Sequence, residues 1–188
     1  MLGIRRIHDT AIDLFLGDIT QFACDAIVNA ANESLSGGGG VDGAIHRAGG
    51  PSIMEECRKI GRCETGNAVA TSAGKLPAKW VIHTAGPIWR GGKNHEDDLL
   101  FNSYMNCLKM GSSLKIRHIT FPSISTGAYR FPMAEASAIA MNAVKQFLTE
   151  EDYNTAIKRI TFVLFSKEHY DAYQKALFEI FPERENAA

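Results

Sequence analysis

Asn29-Ala-Ala-Asn32-Glu-Ser-Leu-Ser-Gly37-Gly-Gly-Gly40-Val-Asp42-Gly43-Ala-Ile-His46 is the stretch on which the chain turns. An apolar strand leads into it, a polar turn and four consecutive glycines follow, and a helix begins at its end. Glycine lets backbone N–H groups come close to a ligand, and a helix N-terminus favours anions, so the segment reads as a phosphate cradle. An aspartate at that helix mouth is out of character, because a carboxylate repels phosphate. Asp42 is therefore either a helix cap or a group that acts on something beside the phosphates.

Outward from this stretch, strand and helix signals alternate, with no repeat, low-complexity tract or Pro/Ser-rich linker. Strands are expected at residues 12–16, 26–30, 68–71, 80–85, 116–122 and 160–165, and helices at 43–47, 52–60, 96–113, 133–149 and 168–181. Ile27-Val28, Val81-Ile82 and Phe162-Val-Leu-Phe165 are apolar runs, as in strands covered on both faces. Ala136, Ile139, Ala140, Ala143, Val144 and Phe147 keep helical spacing. The expected fold is a three-layer α/β/α sandwich around a mixed, largely parallel sheet, where ligands bind beyond the carboxyl ends of the strands. Gly17-Asp18, Asn29 to Gly40, Gly86-Pro-Ile-Trp89, Ser123 to Phe131 and Ser166-Lys167 all follow strands. Loops converging on one rim imply a long ligand. Gly37–Gly40 and Ser125–Ala128 suit two phosphates, so a dinucleotide-like molecule fits.

The 188 residues suit one domain, and Lys+Arg 20 against Asp+Glu 21 argues against strong nonspecific nucleic-acid binding or a hold on anionic lipid. Met1-Leu-Gly-Ile-Arg-Arg-Ile lacks the apolar core of a signal peptide, and no run is long enough to span a bilayer. Cys24, Cys57, Cys63 and Cys107 form no C-x-x-C pair, so neither a zinc knuckle nor a redox dithiol is indicated and a cytoplasmic location is expected. Gly38-x-Gly40-x-x-Gly43 matches the dinucleotide fingerprint of Rossmann folds, but Ala31 to Ser36 separate it from its strand, and Glu64 lies in a turn. Ser125 sits in Ser-Thr-Gly rather than G-x-S-x-G, so no acyl-enzyme is expected. His83 reads as a satisfied buried histidine and His46 as a neighbour on the Asp42 face; no metal spacing is present.

Gly17-Asp-Ile-Thr20, Ala26-Ile-Val-Asn-Ala-Ala-Asn32, Gly37 to His46, His83-Thr-Ala-Gly-Pro-Ile-Trp89 and Ser123 to Tyr129 together resemble the MacroD-type macrodomains, closest to the bacterial single-domain O-acetyl-ADP-ribose deacetylases. The resemblance covers about residues 12–177 and implies one macrodomain over 1–188. It implies binding of ADP-ribose and hydrolysis of the ester at its terminal ribose, in O-acetyl-ADP-ribose and in mono-ADP-ribosylated proteins, with no cofactor and no metal. Residue by residue, it implies that Asp18, with Ile19 beside it, meets the adenine amino group. Phe165 would stack on the ring, although a Phe ending an apolar strand is as readily core. Gly38, Gly39, Gly40 and Val41 would face one phosphate, and Ser125, Thr126, Gly127, Ala128 and Tyr129 the other. Asn32 and Asp42 would form the catalytic pair at the distal ribose, against the plainer readings of a turn asparagine and a capping aspartate. Two positions depart from the family. Arg130 stands where glycine is usual, giving either strain at positive φ or a cation near the pyrophosphate, and Glu33 brings negative charge towards the distal ribose. A non-hydrolytic ADP-ribose-binding module and an RNA-linked regulatory protein are the competing readings.

Overall fold

Ile27 and Val28 are neighbours in sequence but belong to different cores, and that split explains the architecture. In the computed structural model, which describes residues 3–150 and 154–182, seven strands form one sheet: β1 (Arg5–Ile7), β2 (Thr10–Leu16), β3 (Ala26–Ala31), β4 (Ala68–Ser72), β5 (Trp80–Ala85), β6 (His118–Phe121) and β7 (Arg159–Leu164). Their order is β1-β2-β7-β6-β3-β5-β4; the central pairs are parallel, and only the two edge strands run antiparallel to their neighbours. Five helices complete the chain: α1 (Gly40–Gly49), α2 (Pro51–Ile60), α3 (Glu96–Ser113), α4 (Met133–Thr149) and α5 (Lys167–Ile180).

Side chains alternate across the pleat, so a strand covered on both faces must be apolar at successive positions. Val28, Ile82, Phe162 and Leu164 point to the layer of α3, α4 and α5, where Tyr104, Ala140 and Tyr173 are fully buried. Ile27, Val81 and Val163 point to the smaller layer of α1 and α2, built on Ile45, Ile53 and Cys57. The three-layer sandwich expected from the sequence is the fold observed. No helix among the described residues is long and apolar enough to cross a membrane.

Several boundaries differ from the sequence expectation for local reasons. β1 was not expected, because Arg5-Arg6-Ile7 is not an apolar run; it is held at the edge by Arg5, whose Nε donates to the Phe181 carbonyl (2.8 Å) and whose guanidinium lies 4.4 Å over the Phe178 ring. β6 starts at His118 rather than 116 because the Arg117 N–H turns to the Asp25 carboxylate (2.8 Å). α1 starts at Gly40 rather than Gly43, inside the glycine run.

The sheet has a seam. β3 and β6 pair only at Ala26↔Ile119 and Ile27↔Thr120, whereas β3 and β5 pair over six positions from Ala26↔Trp80 to Ala31↔Ala85. Beyond Ile27 the two middle strands part, and the loops that follow them face each other over the opening.

Candidate functional site

The carboxyl ends of β2, β7, β6, β3 and β5 open on one cavity of about 770 Å³, within the range of small-molecule sites. Asp18, Ile19, Asn32, Gly38, Gly39, Gly40, Val41, Asp42, Ser125, Thr126, Gly127, Ala128, Tyr129 and Phe165 all line it. Arg47 and His169 also line it, and the sequence reading did not single them out. A second hollow of about 620 Å³, between α3 and β4, contains none of these residues.

Phe165 is 83% exposed at the cavity rim, so its ring is not core. β7 ends at Leu164, and the chain turns into α5, which Ser166 caps by accepting from the His169 N–H (3.3 Å). At the same end, Asp18 Oδ1 caps the short 3-10 helix Ile19–Gln21, accepting from Thr20 N (2.9 Å) and Thr20 Oγ1 (2.8 Å). The turn role anticipated for this acid is present, and the residue still borders the cavity.

The loop after β3 takes left-handed backbone at Gly37 (φ 80°) and Gly40 (φ 56°), where glycine adopts it without steric strain, and once at an L residue, Leu35 (φ 53°). Asn32 organises this loop: its Nδ2 donates to the Gly37 carbonyl (2.8 Å) and its Oδ1 accepts from Ser36 N (3.1 Å). Glu33 does not reach the cavity. Its carboxylate accepts from Thr65 N (2.9 Å) and Thr65 Oγ1 (2.7 Å) and pairs with Arg62 (2.6 Å), and the Thr65 hydrogen bonds hold its pKa below the usual glutamate range. The expected negative charge beside the distal end is therefore turned away.

Asp42 is not a cap. Gly39 holds that position, without a side-chain bond, and Asp42 sits in the first turn of α1, only 5% exposed. From below, Asn29 Nδ2 donates to its Oδ1 at 2.7 Å, and His46 Nε2 lies 3.4 Å from the same oxygen. The second hydrogen of Asn29 Nδ2 reaches His83 Nδ1 (3.1 Å), and His83 Nε2 faces Thr71 Oγ1 (2.9 Å). Reversing the Asn29 amide would set its oxygen against the Asp42 carboxylate, so the orientation is fixed. The pattern requires a neutral His83 with its proton on Nε2. Burial, with a smaller contribution from His46, lowers its pKa to about 3. His83 is thus the satisfied buried histidine expected. Asn29, quoted in the motif but given no role, is the residue that fixes Asp42; its single signal was a polar residue within an apolar strand.

The loop after β6 is bent differently. Ser125 (φ 65°) and Arg130 (φ 56°) are left-handed with L side chains, and the loop is tied by Phe131 N to Ser125 O (2.9 Å) and Arg130 N to Gly127 O (2.9 Å). Trp89 N donates to Tyr129 O (2.9 Å), and its ring packs on Phe131 at 4.7 Å. Ser125 is buried, and its Oγ has no hydrogen-bond partner among the described residues; a Cβ at Gly86 would collide with it. Arg130 is exposed and absent from the cavity lining, so of its two readings the structure carries the strained backbone.

His46, Cys57 and His83 bring ligand-type atoms within 4.8 Å of one another beneath Asp42. Two nitrogens and a sulfur are a zinc-like donor set. Both His83 nitrogens are already hydrogen-bonded, however, and burial raises the Cys57 thiol to about 11, away from the thiolate a metal needs. The cluster reads as the packed floor of the site.

Residues 28–140 match the family model described as "Macro domain". The chain is 51% identical over 173 residues to a Macro domain-containing protein of Caldanaerobacter subterraneus, covering 90% of this chain and 97% of that one. It is 50% identical over 170 residues to an O-acetyl-ADP-ribose deacetylase of Escherichia fergusonii, covering 88% and 94%. Among solved structures it is similar to the Oceanobacillus iheyensis macrodomain with ADP (TM-score 0.88, 41% identity, 94% of this chain and 95% of that one). It is also similar to the Trypanosoma brucei macrodomain in complex with ADP-ribose (TM-score 0.81, 38% identity, 88% and 68%).

Proposed function

The chain belongs to the Macro domain family, and on that premise we propose that its cavity binds ADP-ribose and that the protein hydrolyses the ester at the terminal ribose. The substrates are O-acetyl-ADP-ribose and mono-ADP-ribose on acidic side chains. One observation carries the hydrolytic reading: a buried carboxylate, Asp42, is fixed from below by Asn29 and His46 at a cavity lined by residues that follow five of the strands. A module that only holds its ligand has no evident need for a carboxylate locked at the rim of an anion cradle.

In this reading the adenine lies at Asp18, Ile19 and Phe165. The pyrophosphate spans Gly38–Val41 and Ser125–Tyr129, and the distal ribose reaches Asp42. Asn32 contributes by holding the loop, its side chain being engaged with Gly37 and Ser36. A water oxygen bonds to the acyl carbon, the bond from that carbon to the ribose oxygen breaks, and the ribose oxygen takes a proton as the acid leaves. Asp42 orients the water or a ribose hydroxyl, and the bound pyrophosphate helps polarise the water. Ser125 Oγ has no base beside it among the described residues, which supports direct attack by water. Four free cysteines support a cytoplasmic location, and balanced charge supports the absence of a strong hold on nucleic acid.

Acetate release from O-acetyl-ADP-ribose tests the assignment directly. Asp42→Ala is expected to slow it by at least about 10-fold, or about 1.4 kcal/mol of barrier. ADP-ribose affinity by calorimetry should stay within a few-fold. Absence of acetate release with intact ADP-ribose binding would leave the binding-module reading instead.

A further inference from the structure

Arg47 follows Gly43 by one helical turn on α1, and the two share a face. Its Nη1 stands 3.0 Å from the point a Gly43 Cβ would occupy, and the Gly38 carbonyl oxygen stands 2.5 Å from the same point. Asp42 Oδ2 lies 3.2 Å from where a Gly38 Cβ would be. The guanidinium therefore lies near the Gly38 carbonyl, the Asp42 carboxylate borders the same glycine, and Gly38, Asp42 and Arg47 all line the cavity.

Three other arginines of the chain are committed. Arg62 pairs with Glu33 (2.6 Å), Arg159 Nε donates to Asp13 (3.0 Å), and Arg5 donates to the Phe181 carbonyl (2.8 Å). The Arg47 guanidinium has neither a hydrogen-bond acceptor nor a carboxylate partner among the described residues. An uncommitted cation lining the same cavity as a fixed carboxylate matches the charge course of the reaction. The neutral ester carbonyl becomes an oxyanion when water adds, and the released acid is a carboxylate. Asp42 alone would repel both. A planar guanidinium with paired N–H donors suits either anion.

We propose that Arg47 contacts the acyl oxygens of the substrate, offsetting the charge that develops on the ester carbonyl and holding the carboxylate released. This rests on the hydrolase reading above. The chemistry recognised is a carboxylic ester and its acid, whether the acyl group is acetyl or a glutamate side chain of a protein.

The test uses Arg47→Ala and Arg47→Lys beside the wild-type protein. kcat and KM are measured on O-acetyl-ADP-ribose and on a peptide carrying mono-ADP-ribose on glutamate, and Kd is measured for ADP-ribose. Arg47→Ala is expected to lower kcat by about 10-fold or more on both substrates, as loss of a group facing a developing oxyanion does. ADP-ribose Kd should stay within about 3-fold, and Arg47→Lys should recover part of kcat because it keeps the charge. A matching loss of ADP-ribose affinity would assign the guanidinium to the phosphates and overturn the proposal. So would a loss confined to the peptide, which would make Arg47 a reader of the flanking chain, or an unchanged kcat on both. A wild-type protein that releases no acetate removes the hydrolase reading and this inference together. An active wild type with an indifferent Arg47→Ala removes this inference alone.

Discussion

The loop after β3 and the loop after β6 face each other across one cavity and reach left-handed backbone at different residue types. The first takes it mainly at glycines, Gly37 and Gly40, with the buried Leu35 (φ 53°) as its one L residue. Ser125 and Arg130 adopt it against their own Cβ atoms, at about 1–2 kcal/mol each, and are kept there by bonds to Phe131 N and Gly127 O and by Trp89 packed on Phe131. The first loop also rests on a buried polar chain, Asp42–Asn29–His83–Thr71, whereas the second carries no group that titrates near neutral pH. One loop is therefore mostly permissive in backbone, Leu35 apart, and fixed from below. The other is strained and fixed from its flanks.

Acidification should separate them most widely. His83 is neutral in the fold down to pH about 3, while an unfolded histidine takes a proton near its ordinary value of 6.5. Between those limits the unfolded chain binds the extra proton, so stability falls as pH falls, by up to about 1.4 kcal/mol per unit. His118, lowered by burial and by Arg159, adds in the same direction, so the slope that disappears in His83→Gln is the part to assign. Hydrogen exchange at pH 5 should loosen residues 36–43 more than 123–131. Equal loosening would break the comparison.

Gly43→Ala comes next. Its Cβ would stand 2.5 Å from the Gly38 carbonyl oxygen, so the first loop must move. ADP-ribose affinity should fall by about 10-fold and stability by about 1–3 kcal/mol, read by calorimetry and thermal melting. Unchanged affinity would show that the first loop adapts and is not a fixed cradle.

Arg130→Gly acts on the second loop in the opposite sense. Relief of about 1–2 kcal/mol of strain, less about 0.5–1 for the freer unfolded chain, should leave the variant slightly more stable. Its ADP-ribose affinity should equal that of the wild type at both low and high salt. Weaker binding that fades with salt would place the guanidinium on the phosphates after all. The smallest effect is expected at Gly127, which is not left-handed and has open space where a Cβ would go. Gly127→Ala should leave the melting temperature unchanged within about 0.5 kcal/mol of stability, and a larger loss would mean that this loop needs its glycine as the first does.

The same contrast explains what could be read from the sequence. α3, α4 and β5 lie at the residues expected, because long periodic helices and a doubly covered strand leave strong patterns. The glycine run announced its own geometry. The left-handed state of Ser125 did not, since tertiary hydrogen bonds impose it and no residue type signals it, and that of Arg130 was one of two readings only because the family usually has glycine there. For the same reason the sequence could not choose between the turn and catalytic readings of Asn32, or show that Glu33 is drawn off by Thr65 and Arg62 and that Asn29 lies under Asp42. Each of those is a choice among side-chain partners that only the folded chain brings within reach.

The short pairing of β3 with β6 makes the middle of the sheet its least stitched line. Asp18, Phe165 and the second loop hang from strands on one side of that line, and the first loop and Asp42 follow β3 on the other. A molecule that fills the cavity then acts as a rivet through two plates, so ligation should be felt as stiffness along the whole length of the seam, far from any atom it touches.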